Sequence, residues 1–272
     1  YYAPLGRLTE FATVGSWEVG GNVQAPGNLL TESKRYAYID GACEIPLPTG
    51  RITVEIHKGI EYTPIREEIQ LAQGKLALRF NLMRWINPRA GGWHSGDVEA
   101  YRLSPHAALL EGEAEDLAVV NVLAEDAYHE YEGEPIERFL SNILAFSGQQ
   151  PALERPDCMV VVNTANGHAI LGNLGLLNCH RPVYPLAFGH TGFGEGLDDW
   201  TLADWCDQCH RKGGLVVAQK FCASVFFPPE HGSYPWSGET LADLILGKID
   251  AIDVKPVGAP WLVPDPLREW RV

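Results

Sequence analysis

Between Thr201 and Val254 the chain runs twice through the same cycle of helix, glycine stop and apolar strand, and this repetition limits the fold more than any other stretch. Thr201 is of a type that caps helices, and Leu202, Trp205, Cys206 and Cys209 then recur at i, i+3, i+4 and i+7, the buried seam of an amphipathic helix. Gly213-Gly214 ends it, and Leu215-Val-Val-Ala218 follows as a strand. Ser237 opens a second helix that ends at Gly247, before the strand Ala251-Ile-Asp-Val254. The alternation starts earlier, with a helix from Ser104-Pro105 to about Asp116 and the strand Leu117-Ala-Val-Val-Asn-Val-Leu123. Pro135 predicts a further helix with Ile136, Phe139, Leu140, Ile143 and Leu144 on one face, and Cys158-Met-Val-Val-Val162 the next strand. Repeated strand and helix units predict a parallel sheet or barrel with its chemistry at the C-terminal strand ends.

Residues 1–87 read differently. Short β-rich runs such as Arg35-Tyr-Ala-Tyr-Ile-Asp40 and Arg51-Ile-Thr-Val-Glu-Ile-His57 are separated by turn signals. Gln70 to Leu82 continues the alternation as a final strand turning through Ala72-Gln73-Gly74-Lys75, and one small all-β sandwich accounts for these runs. Asn87-Pro-Arg-Ala-Gly-Gly92 marks the boundary, giving domains at 1–87 and 88–272. A formal charge of −14 without a large Lys/Arg cluster argues against a nucleic-acid partner, because a polyanion needs a compensating basic surface. No apolar run is long enough to span a bilayer as a helix. A chain that starts at Tyr1 reads as a processed form, and export to an extracytoplasmic compartment is the expectation. Six cysteines are too sparse for a disulfide scaffold at this length.

The predicted strand ends gather Asp97, Glu99 and Tyr101 behind Gly91-Gly-Trp-His-Ser-Gly96, then Glu125 and Asp126, His168, His190 and Lys220. Four carboxylates and two histidines fit either a reactive cluster or the polar fringe of solvated loops.

Several ordered blocks resemble the CehA/McbA-like branch of the PHP (polymerase and histidinol phosphatase) superfamily. They are Gly92-Trp-His-Ser-Gly-Asp-Val-Glu-Ala-Tyr-Arg102, Ala114-Glu-Asp-Leu-Ala-Val-Val-Asn-Val-Leu123, Gly167-His-Ala-Ile-Leu-Gly172, Gly213-Gly-Leu-Val-Val217 and Gly238 to Ala251. The first 87 residues resemble the carboxypeptidase-regulatory β-sandwich that often precedes that barrel. The resemblance implies an α/β fold, an incomplete PHP-type (β/α) barrel behind a small β-sandwich, with fewer strand and helix units up to Val272 than the family's barrel holds. A second polypeptide or subunit is then expected to complete it. Family members place a His-x-His pair of metal ligands where Glu99 and Tyr101 stand, a histidine where Asp126 stands, and another at about Lys220; Asp97, His168 and Glu239 keep the family's residue type.

A fixed ammonium competes with a cation instead of ligating it, so Lys220 argues against a metal at the ancestral position. Two readings follow. In one, hydrolysis is lost, no cofactor is bound, and the protein serves binding or assembly. In the other, Glu99, Tyr101, Asp126, His168 and Lys220 perform acid-base chemistry on a sugar-like or ester substrate. Asp97, Glu99, Glu125, Asp126 and His168 then form a hard-cation site suited to Ca, Mg or Mn.

Three other motifs compete for attention. Cys206-Asp-Gln-Cys209-His210 matches the pattern for covalent haem c attachment, yet both cysteines also fall on the apolar seam of a helix, where core thiols belong. Phe188-Gly-His-Thr-Gly-Phe-Gly-Glu-Gly196 is glycine-rich but lacks the Lys-Ser/Thr ending of a phosphate loop. Trp200 and Trp236 offer platforms for a carbohydrate-like ligand, whereas Trp205 belongs to the core.

Overall fold

The computed structural model describes residues 28–31, 34–39, 41–43, 47–74, 77–101, 103–127, 130–131, 134–135, 139–140, 142–168, 171–188, 200–219 and 238–253. In chain order the strands are β1 (Asn28–Thr31), β2 (Lys34–Ala37), β3 (Gly50–Ile56), β4 (Ile65–Leu71) and β5 (Gly96–Tyr101). Helix α1 (Pro105–Ala114), β6 (Val119–Ala124), β7 (Asp126–Ala127), β8 (Glu130–Tyr131), β9 (Glu134–Pro135) and β10 (Phe139–Leu140) follow. Then come β11 (Leu153–Arg155), β12 (Cys158–His168), β13 (Gly172–Leu177), β14 (Ala187–Phe188), α2 (Leu202–Arg211), β15 (Leu215–Gln219), α3 (Thr240–Ile245) and β16 (Ala251–Ile252). Two compact units divide them: Tyr1–Val122 with Gln150–Val162, and Leu123–Gln149 with Asn163–Val272.

In the first unit β1 and β2 pair as one antiparallel hairpin and β3 and β4 as another. The second hairpin obeys the two-residue period of a half-buried ribbon. Ile52 faces Ile69 and Ile56 faces Ile65 across the pair, while the other side carries the cross-strand ion pairs Arg51–Glu68 and Arg66–Glu55. Among the described residues these two ribbons are separate two-stranded sheets. The predicted strand from Gln70 to Leu82 ends early among the described residues: Gln70 and Leu71 belong to β4, while 77–83 form no strand and Leu78 is exposed. Sheet order here runs β11, the start of β12, β6, β5. Helix α1 starts as its sequence dictates, with Pro105 in its first turn and the Ser104 side chain accepting from Ala107 N–H at 3.2 Å.

The second unit corrects the α/β barrel expectation. Its sheet runs β12, β13, β15, β16, and the first two of these contacts are antiparallel. Two residues each of β15 with β16 and of β12 with β14 pair in parallel. A (β/α) barrel needs a helical crossover between each pair of parallel neighbours. Here His168 and Gly172 end one strand and begin the next with three residues between them, which leaves room for a hairpin only. The strand Gly172-Asn-Leu-Gly-Leu-Leu177 carries a weak sequence signal because two glycines interrupt its apolar run. The helix predicted from Pro135 is a second correction. Glu134–Pro135 and Phe139–Leu140 are strands, Asn142 takes a left-handed φ of +61°, and Leu144 is fully exposed instead of facing a core.

The core of this unit lies between α2 and the sheet. Leu174, Leu176, Val216 and Ala218 share one face by register, and Leu202, Trp205, Cys206 and Cys209 of α2 cover it, all fully buried. The seam read from sequence is therefore the packing seam. Fully burying the large apolar side chains of this cluster contributes about 1.5–3 kcal/mol each.

Candidate functional site

In the first unit Asp97, Glu99 and Tyr101 alternate along β5 and so share one face. They also touch in sequence order. Asp97 Oδ1 accepts from Glu99 N–H at 2.9 Å, and the Tyr101 hydroxyl donates to Glu99 Oε1 at 3.1 Å. Asp97 is exposed and reaches the rim of a cavity of about 90 Å³ lined also by Tyr38, Glu111 and Glu115. The Tyr38 hydroxyl donates to Glu115 Oε1 at 3.0 Å, and burial, then the charges of Glu115 and Glu111, drive its pKa far above the ordinary value. The space admits a few waters and falls well short of the roughly 300 Å³ of a small-molecule pocket. Tyr38, Glu111 and Glu115 were absent from the sequence-based candidates; the like charges at i and i+4 on α1 were the available signal.

Beside it stands a charge clamp. Arg84 pairs with Glu61 and with Asp116 at 2.5 Å each, and its guanidinium bonds the Tyr62 hydroxyl at 2.7 Å. Glu61 is buried, and such a pair holds together only because every charge has its partner. Arg89 and Ser95 donate to the Asp116 carbonyl at 2.8 and 3.0 Å, so this cluster joins the segment 61–95 to the end of α1.

In the second unit Glu125 is half-buried directly after β6, and Asp126 opens β7, its backbone opposite Leu140. His168 ends β12 and is buried; its Nδ1 accepts from Leu171 N–H at 3.2 Å. Thr164, Asn166 and His168 lie on one face of β12. Thr164 Oγ1 donates to Asn166 Oδ1 at 2.9 Å, and Asn166 Nδ2 donates to the carbonyls of Val183 and Pro185 at 3.0 and 2.8 Å. Trp205 Nε1 reaches the same Pro185 carbonyl at 2.8 Å. This buried ladder fixes the 183–185 segment, and its signal in the sequence was the polar interruption of an apolar run after Val162. Lys220, His190 and Trp236 lie outside the described residues.

Glu239 has a definite task here. Its two carboxylate oxygens accept from Leu202 N–H at 2.8 Å and Ala203 N–H at 3.3 Å, the first two amides of α2. Thr201 and Asp204 close a capping box around the next, and hydrogen bonds from the Thr201 backbone and hydroxyl hold the Asp204 carboxyl below the ordinary range. Asp243, in α3, is 1% exposed, and its Oδ2 has no hydrogen-bond partner among the described residues. Burial, then the charge of Glu239, raises it to about 6.

The Cys-x-x-Cys-His motif divides between two faces of α2. Cys206 and Cys209 face the core, and burial pushes the Cys206 thiol up to about 12. His210 is exposed and bonds Asp250 at 2.9 Å. Burial would raise Asp250, but bonds from Val216 N–H and His210 overcome it and hold this carboxyl below its usual range. Trp200 stacks on Phe188 at 6.4 Å and tilts against Trp205, while Trp93 is exposed. Among the described residues no three His, Cys, Asp or Glu side chains converge in a metal-compatible group, and no helix is long and apolar enough to cross a membrane. No family model, curated protein or solved structure matches the chain.

Proposed function

We propose that the chain serves binding or assembly and descends from a metal-dependent hydrolase of the PHP type that its sequence blocks resemble, without that hydrolytic centre. The observation that carries this reading is an apolar display on the charge clamp of the first unit. Ile60, Met83, Trp85 and Trp93 are 79%, 72%, 60% and 77% exposed. Their backbone is not loose: Thr63 N–H bonds Met83 O, Trp85 N–H bonds Glu61 O, and Trp85 Nε1 bonds Ile60 O at 2.9 Å. Large apolar groups held rigidly in water mark surfaces that gain by being covered, and tryptophan anchors dominate such contacts. The residues of family type agree with this reading, since Glu239 caps a helix and His168 accepts a backbone amide.

Sedimentation of the full chain across concentration, beside a Trp85→Ser/Trp93→Ser variant, tests the proposal together with metal analysis and hydrolysis of ester and phosphoester substrates. The expected result is association in the parent that weakens at least tenfold in the variant, with no turnover. A monomer that carries stoichiometric transition metal and hydrolyses substrate, with turnover abolished by Glu99→Gln, overturns it.

A further inference from the structure

Cys179 lies two residues beyond the end of β13, and Cys209 sits in the last turn of α2; their sulfurs are 3.4 Å apart and both residues are buried. The surroundings are shaped around the pair. Gly213 takes a left-handed φ of +73° to end the helix, and at Gly214 a Cβ would overlap the Cys179 sulfur and stand 2.7 Å from that of Cys209. The Gly-Gly dipeptide therefore does two things, a turn at its first residue and room for two sulfurs at its second. Three hydrogen bonds fasten the segment bearing Cys179 to the helix end: His180 N–H to Lys212 O at 3.1 Å, His180 Nδ1 with the same carbonyl at 2.8 Å, and Lys212 Nζ to Pro182 O at 2.8 Å.

We propose that Cys179 and Cys209 are a redox pair that closes to an intramolecular disulfide and staples the segment after β13 to the end of α2. The sulfurs need approach by only about 1.4 Å to reach bonding distance, a movement within the reach of side-chain rotation. Cys179 is the attacking thiol. The hydrogen bond from Cys209 holds its pKa below the ordinary value against burial, and the Lys212 ammonium adds to this. In the first step the Cys179 thiolate attacks a small-molecule disulfide and releases one thiolate from it. In the second, Cys209 loses its proton to water and attacks the Cys179 sulfur of the mixed disulfide, releasing the second thiolate. Two protein thiols are oxidised, one small disulfide is reduced to two thiols, and the two protons given up by the protein pass through solvent to the released thiolates. Cys206, one helical turn from Cys209, is the competing partner, but the space left at Gly214 is filled by the sulfurs of Cys179 and Cys209. Burial of both sulfurs makes access depend on lifting of the 178–182 segment, so closure is slow compared with an exposed pair.

The test is incubation of the folded full chain with oxidised glutathione, acid quench, blocking with N-ethylmaleimide and non-reducing peptide mapping by mass spectrometry. A cross-linked peptide joining Cys179 to Cys209, lighter by two hydrogens, is expected, retained in Cys206→Ser and lost in Cys179→Ser. The cross-linked form is expected to unfold at a higher urea midpoint than the reduced one. A Cys206–Cys209 link, a glutathione adduct without the link, or two blocked thiols after prolonged incubation overturns the proposal, and these three outcomes are decided in the parent chain even where a serine variant fails to fold.

Discussion

Replacing Asp243 by asparagine is expected to stabilise the protein at neutral and alkaline pH and to leave it nearly unchanged in acid. The carboxyl is 1% exposed and faces Glu239 and Asp207 on the acidic side and Lys248 on the basic side. In the folded chain it titrates at about 6, against 3.8 when unfolded. The unfolded state therefore gives up its proton first as pH rises. Stability linked to this group is fully present below about pH 4, falls through the window from about pH 4 to 6, and is lost above it. At 1.36 kcal/mol per pH unit the gap corresponds to about 3 kcal/mol. Asparagine removes the charge but keeps a buried polar group, so a net gain of about 1–2 kcal/mol at about pH 8 is the expectation. Urea unfolding of both proteins from about pH 4 to 8, followed by tryptophan fluorescence, gives the difference free of the other carboxyls. A difference that is flat with pH, or a variant less stable than the parent at about pH 8, refutes the reasoning.

Glu239→Gln keeps one acceptor at the first amides of α2 but removes the charge from a helix N-terminus, and a loss of about 0.5–1 kcal/mol is expected; Glu239→Ala removes the cap and should cost about 1–2 kcal/mol, both read from urea midpoints. Asn166→Asp turns two donated bonds to the Val183 and Pro185 carbonyls into buried repulsion between a carboxylate and two oxygens. A destabilisation of about 3 kcal/mol or more at neutral pH is expected, relieved as the new carboxyl protonates in acid, so that the deficit shrinks as pH falls.

Helices α1 and α2 were legible because their signals are local. Ser104-Pro105 and Thr201-x-x-Asp204 satisfy amides within three residues, and the Leu202/Trp205/Cys206/Cys209 spacing states which side is buried. The sheet was not legible to the same degree, since the direction of a strand is set by the connection that leads out of its predecessor. Three residues between His168 and Gly172 dictate a hairpin, yet the strand after them, broken by Gly175, carries no clear alternation. The Pro135 segment shows the opposite failure, where a helical spacing of apolar residues occurs by composition and Leu144 ends in water. Within the candidate site, Asp97, Glu99 and Tyr101 were read as a strand end, whereas they lie along β5 itself and share a face by its two-residue period. The tasks of Glu239 and Asn166 were not legible, because each bonds groups far along the chain, Leu202 and Val183 among them.

The cap on α2 also sets an order in time. Leu202 N–H bonds a carboxylate 37 residues downstream, so on the ribosome the helix emerges with its first amides still bonded to water. At about 5–20 residues per second, Glu239 follows roughly 2–7 seconds later. Until then the first turn of nascent α2 has its own capping box, and the two bonds from Glu239 are added only when the start of α3 has been made.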